Sequence, residues 1–194
     1  MRQLKSCLFG ALLLFCAAAA PPPDNERFVP GGRAGFVADG SGGCWVWVGG
    51  ISRDAENVIG TWTGACPGGP AEGNGRATVR WRENGQDHVM IYDGPVRRGQ
   101  NEGQGRLQRI TNGRVTAIED GRFRDDRFVG GRFEVPAIGL VYEGGWGVGG
   151  PEGQGRLTLN GRSFEGVWDS GCLRVGDAWI SFTRPVQECS GVRI

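Results

Sequence analysis

The pentapeptide Glu72-Gly73-Asn74-Gly75-Arg76 returns as Glu102-Gly103-Gln104-Gly105-Arg106 and again as Glu152-Gly153-Gln154-Gly155-Arg156, with a degraded copy at Val129-Gly130-Gly131-Arg132-Phe133. A chain that repeats itself in this way folds as copies of one small unit, stacked so that each buries what it cannot bury alone. A second motif runs between the copies: a bulky apolar residue, an acid, Gly, any residue, then another bulky one. Its full forms are Tyr142-Glu143-Gly144-Gly145-Trp146 and Phe164-Glu165-Gly166-Val167-Trp168. Weaker forms are Val58-Ile59-Gly60-Thr61-Trp62, Tyr92-Asp93-Gly94-Pro95-Val96 and Glu119-Asp120-Gly121-Arg122-Phe123. After the Gly-x-Gly runs, apolar residues alternate with polar ones, as in Ala77, Val79 and Trp81, in Leu157 and Leu159, and later in Ala178, Ile180 and Phe182. Period-two patterning is the signal of a strand with one buried face. Asn84-Gly85, Asn112-Gly113 and Asn160-Gly161 are the strongest short hairpin turns available. Each unit therefore reads as strand, Asn-Gly turn, strand, and a Gly-rich connection to the next.

Composition narrows the class further. Glycine supplies 37 of 194 residues, which excludes a helix-rich domain, since an interior Gly costs roughly 0.5–1 kcal/mol. No strict Gly-X-Y period marks a collagen. A hydrophobic content of 39% with 7 Trp supplies too much apolar surface for a disordered chain.

The run Tyr142-Glu143-Gly144-Gly145-Trp146, followed by Gly150, Gly153, Gly155 and Leu157, resembles the MORN repeat (membrane occupation and recognition nexus), and Phe164 to Gly171 resembles the start of another copy. The resemblance extends more loosely over 58–131 and is absent before about residue 43. It implies an elongated, single-layer antiparallel sheet of about five stacked hairpins. It also implies that Gly73, Gly75, Gly103, Gly105, Gly144, Gly153, Gly155 and Gly166 are structural glycines. In that family an aromatic from the next hairpin lies flat across the glycine, which places Gly144 and Gly166 beneath such rings. The family's roles are scaffolding, self-association and phospholipid binding.

The first twenty residues read as a secretory leader, with basic Arg2 and Lys5, an apolar stretch from Leu8 to Phe15, and small residues from Ala17 to Ala20. Cleavage after Ala19 would release a soluble periplasmic or secreted chain. A lipoprotein reading would acylate Cys16 after Leu13-Leu14-Phe15, where bulky Phe15 fits poorly. Residues 21–42 read as a disordered Pro/Gly-rich linker, and 43–194 as the repeat domain with its terminal caps. Beyond Cys7 and Cys16 in the leader stand Cys44, Cys66, Cys172 and Cys189, an even four. Pairing sequence neighbours, Cys44 with Cys66 and Cys172 with Cys189, closes the shortest loops and clamps each end. The rival is a zinc site, but no Cys-x-x-Cys occurs and His88 is the lone histidine.

Chemistry is sparse. His88 sits in the strand-like run His88-Val89-Met90-Ile91 with no nucleophile motif beside it. Glu143, Glu165 and Asp169 could share a face as glycosidase carboxylates do, but the repeat itself places acids before its glycines, as at Asp93 and Asp120. The Gly-x-Gly-Arg runs lack the following helix that a phosphate loop needs. Asp125-Asp126 is too short for a calcium loop. Lys and Arg number 22 against 21 acids, and two of those bases lie in the leader, so no basic excess points to nucleic acid. What remains is an aromatic row, Tyr92, Tyr142, Trp146 and Trp168, as a binding platform. The expectation is an exported, non-catalytic scaffold or adaptor without cofactor or metal, binding a protein partner in the cell envelope and able to self-associate. The alternative is a module that holds envelope glycan or phospholipid on that row.

Overall fold

Residues 27–29, 32–38 and 43–191 are described by a computed structural model. Among them the chain is all-β, with two short 3-10 turns, at Pro136–Ile138 and Val186–Gly191, and no α-helix. The first three strands are β1 (Arg27–Val29), β2 (Gly32–Ala38) and β3 (Trp45–Ile51). Next come β4 (Glu56–Trp62), β5 (Gly73–Glu83), β6 (Gln86–Arg97), β7 (Gln100–Asn101), β8 (Gly103–Thr111) and β9 (Arg114–Arg124). The chain finishes with β10 (Arg127–Val135), β11 (Leu140–Gly147), β12 (Gly150–Leu159), β13 (Arg162–Asp169), β14 (Cys172–Val175) and β15 (Ala178–Ser181). Strands β4 to β15 form one elongated, open antiparallel sheet in chain order, with the two-residue β7 pairing beside β6. Five successive hairpins, β5–β6, β8–β9, β10–β11, β12–β13 and β14–β15, make up most of it.

Four of the five residues of the repeated pentapeptide have a structural task. The leading acid caps a later turn: Glu72 Oε1 accepts from Arg98 N at 2.9 Å, Glu102 Oε2 from Asp125 N at 3.2 Å, and Glu152 Oε2 from Ser170 N at 2.9 Å. The first glycine, at 73, 103 and 153, adopts φ of +79°, +68° and +72°, where a side chain is strained. The second glycine lies beneath a ring. A Cβ on Gly75 would stand 2.7 Å from the Trp62 ring, one on Gly105 2.6 Å from the Tyr92 ring, and one on Gly155 2.6 Å from Tyr142 Cζ. The arginine then points to the opposite face of the sheet.

In register, the second glycines join those of the acid-Gly motif into a row. Gly75 pairs with Gly94, Gly105 with Gly121, Gly121 with Gly131, Gly131 with Gly144, Gly144 with Gly155, and Gly155 with Gly166. The rings that cross this row come from within the hairpin ladder: Tyr142 covers Gly144, two residues along its own strand, and Gly155 on the strand paired with it. A neighbouring hairpin's ring thus covers Gly155, but at Gly144 the expectation is corrected, since the ring there comes from the glycine's own strand. The expectation at Gly166 is corrected too, its nearest neighbour being Leu173 Cδ1 rather than an aromatic.

The residues expected as a disordered linker contain β1 and β2, which pair with β3 into a separate three-stranded sheet. Phe36 packs edge-on against Trp45 and Trp47, and this cross-strand apolar contact orders a stretch whose local composition favours a linker. Backbone bonds from Trp47 N to Gly99 O (2.7 Å) and Trp45 N to Gly69 O (2.8 Å) tie β3 to the large sheet's loops. Val46 and Val48 join Trp62, Ala77, Val79, Met90 and Tyr92 in one core. The C-terminal half of the same face closes on itself through Leu140, Tyr142, Leu157, Trp168 and Leu173. Disulfides join Cys44 to Cys66 and Cys172 to Cys189, which fits an oxidising compartment. The leader and Cys16 lie outside the described residues.

Candidate functional site

The sheet's two faces differ in kind. On the outer face the residues flanking the glycine row alternate in sign across eight strands, Arg76, Asp93, Arg106, Asp120, Arg132, Glu143, Arg156 and Glu165, each opposite the next. Ion pairs close at 2.6 Å for Arg76–Asp93, 2.7 Å for Arg106–Asp120, 3.2 Å for Arg132–Glu143 and 2.7 Å for Arg156–Glu165. Such exposed pairs add little to stability, but they hold one regular, self-neutralised surface. The next outer row interleaves half-buried Ile91, Ile118 and Val141 with Gln108 and Glu134. Ile59 and Val167, on the same face, are each 53% exposed.

The inner face is apolar, and there the expected aromatic platform is overturned. Tyr92, Tyr142 and Trp168 are at most 2% exposed, and Trp146 is half-buried against Phe133, ring centroids 4.8 Å apart. A ring lying over two glycines is covered by the strands around it, so the motif that repeats the aromatic is the one that buries it. Burial pushes the Tyr92 and Tyr142 hydroxyls up to about 12, leaving them neutral donors. Tyr92 Oη donates to Pro95 O and Glu102 O at 3.0 and 3.1 Å, and Tyr142 Oη to Gly145 O at 3.0 Å.

Between the small sheet and the inner face of β5 to β8 lies a cavity of about 660 Å³. Ala77, Val79, Met90, Tyr92 and Leu107 form its floor, Ala34, Trp47, Val48 and Gly49 its roof, and Gln100, Asn101, Arg109, Asp125, Asp126 and Arg127 its polar end. Arg109 Nη2 donates to Glu119 Oε1 at 3.0 Å, and Nη1 to Met90 Sδ at 3.2 Å. Glu119 is buried, at 9% exposure. A Cβ placed on Gly49 would stand 3.7 Å from Asp126 Oδ2, so that carboxylate reaches across to the roof. Burial pushes the Asp126 carboxyl up to about 7, Glu119 adds to the rise, and a backbone hydrogen bond from Asn101 and the charge of Arg109 oppose it.

Nothing in the sequence alone places Asp125 and Asp126 here, because the roof comes from strands some eighty residues upstream. One signal was available: Arg109 and Glu119 stand where other copies of the repeat have apolar residues. His88 is half-buried in β6, stacked on Trp81 with centroids 5.2 Å apart, its Nδ1 3.2 Å from Thr111 Oγ1. Glu143 and Glu165 pair with arginines as rungs of the ladder. Among the described residues no group of three His, Cys, Asp or Glu side chains is placed to hold a metal ion. No protein-family model matches the chain, and no curated protein sequence matches it.

Proposed function

We propose that this chain is an exported, MORN-like, non-catalytic scaffold that binds a protein partner through the outer face of its large sheet. The observation that carries the reading is that face: an ordered ladder of paired charges beside aliphatic side chains left half-open across many strands. Aliphatic patches framed by polar groups are what protein interfaces use. A surface whose charges neutralise one another has weak attraction for anionic lipid. The leader and the two disulfides support export to the periplasm or beyond. The engagement of His88 by Trp81 and Thr111, and of Glu143 and Glu165 by arginine, supports a non-catalytic role, since a general acid or base must be free to reach a substrate.

Affinity capture from an envelope extract tests it, run beside sedimentation with phospholipid vesicles and envelope glycan. A discrete protein partner is expected, and Ile91→Glu combined with Ile118→Glu should abolish its capture while the thermal midpoint stays near wild type. Capture that survives this pair refutes the reading, as does sedimentation with vesicles or glycan in the absence of any protein partner.

A further inference from the structure

The repeat acts as its own control, because each position in one hairpin has counterparts in the others. Three departures from the pattern fall within a few residues of the cavity. The position two before the row glycine is aromatic in Tyr92, Tyr142 and Phe164 but is Glu119 in β9. Without a ring there, the three atoms nearest a Cβ on Gly121 or Gly131 are all backbone. The position four after the second glycine of Gly-x-Gly is Val79 in β5 and Leu159 in β12 but Arg109 in β8. The second turn residue is Gly99 after β6 and Gly171 after β13 but Asp126 after β9, held at φ +65°, where a residue other than Gly is costly. Each change replaces a fold-favoured residue with a charged one, and Arg109 and Asp126 both line the same cavity. Local rules broken together in one place mark function more often than accident.

The lining says what the site takes. Arg109 is occupied by Glu119. Of the charged groups at this end, Asp125 lies 3.8 Å from Arg97, which also pairs with Glu102, Glu119 holds Arg109, and Arg127 is exposed at the rim. Asp126 makes no ion pair among the described residues and reaches across to the roof, so the charge that faces the space is a carboxylate and a cation is favoured over an anion. The floor and roof bring Trp47, Tyr92, Met90, Val79 and Leu107 to the same space, which suits an apolar body, and aromatic rings attract organic cations. The volume lies within the range of small-molecule sites.

We infer that the cavity is a binding site for a small organic cation, an ammonium carried on an apolar body, with Asp126 as its counter-ion and Trp47 and Tyr92 beside its body. The site is independent of the outer-face scaffold, which could fail without touching it. Ionised Asp126 is the binding form, so affinity weakens as pH falls through the titration of that carboxyl near 7. The groups around it that also bear charge or titrate are Arg109 on β8, Glu119 on β9, Tyr92 and Arg97 on β6, Glu102 ahead of β8, Asp125 in its own turn and Arg127 at the start of β10.

Isothermal titration calorimetry of the full chain with both disulfides formed, at about pH 8.5, above this titration, compares phenethylammonium, 2-phenylethanol and 3-phenylpropanoate as probes. Phenethylammonium should bind at least about tenfold more tightly than the isosteric alcohol, with the carboxylate weakest, and should shift the Trp47 indole resonance. Asp126→Gly installs the residue other turns use, so its thermal midpoint should equal or exceed that of the wild type while the preference for the cation disappears. Equal binding of cation and alcohol, preference for the anion, no binding of the cation, or an undiminished preference in Asp126→Gly would each overturn the assignment.

Discussion

Substituting Gly155 by alanine tests the central packing device of the sheet. Gly155 has ordinary backbone angles, so the effect of a methyl there is steric alone. The new Cβ would lie 2.6 Å from Tyr142 Cζ and 2.7 Å from Cε2, well inside van der Waals contact. Tyr142 is 0% exposed and wedged edge-on against Trp146 and Trp168, with centroids 5.8 and 5.6 Å away, so the ring must leave rather than slide. Losing a third of its ~150–250 Å² burial costs about 1–2 kcal/mol at roughly 25 cal/mol per Å². Loss of the hydroxyl's bond to Gly145 O adds about 1 kcal/mol. Alanine restricts the unfolded chain and returns about 0.4–1 kcal/mol, the smaller quantity. The net expectation is destabilisation of about 2 kcal/mol, a fall in Tm of roughly 4–8 °C for a domain of this size. Guanidinium denaturation of Gly155→Ala reads this directly. Gly68→Ala is the matched control, since nothing lies within 4 Å of its Cβ position. In a Tyr142→Leu background the penalty at Gly155 should shrink. A Gly155→Ala midpoint at or above wild type would refute the ring-over-glycine account.

Asp126 makes stability depend on pH. Its folded carboxyl titrates at about 7 against an ordinary 3.8, so the folded state favours the proton. The resulting stabilisation is complete below about pH 4 and is lost as pH rises through about 7. Thermal scans across that window should show a decline that Asp126→Gly flattens. Arg109→Leu leaves Glu119 buried without its partner and should cost about 1–3 kcal/mol, whereas Arg109→Leu with Glu119→Tyr restores the residues of the other repeats and should recover it, read as denaturant midpoints. Reduction should lower the thermal midpoint at both ends of the sheet, because the bridges span 22 and 17 residues and loops of that size contribute roughly 3 kcal/mol each. Chemically reduced protein with an unchanged midpoint would contradict that.

What this sequence by itself determined was everything periodic. Alternation of Ala77 and Val79, the Asn-Gly turns and the recurring Gly-x-Gly fix strands, hairpins and an open antiparallel sheet, because period two and left-handed turn residues are local constraints, legible a few residues at a time. The disulfide partners were legible for a similar reason, since closing a short loop needs only nearby cysteines. Local pattern could not tell which way a ring faces. Tyr92, Tyr142 and Trp168 recur like a platform, yet cross-strand register puts two glycines beneath each tyrosine and buries it, and register is a property of paired strands. Nor could it place β2 and β3, whose order comes from Phe36, Trp45 and Trp47 packing together and from backbone bonds to loops far along the chain. The cavity exists only where that small sheet meets the large one. Tertiary structure alone decided that Arg109 and Asp126 stand around one space with Glu119 behind the arginine, three departures scattered along a repeat, because proximity across strands depends on how hairpins stack and not on how any one of them is written.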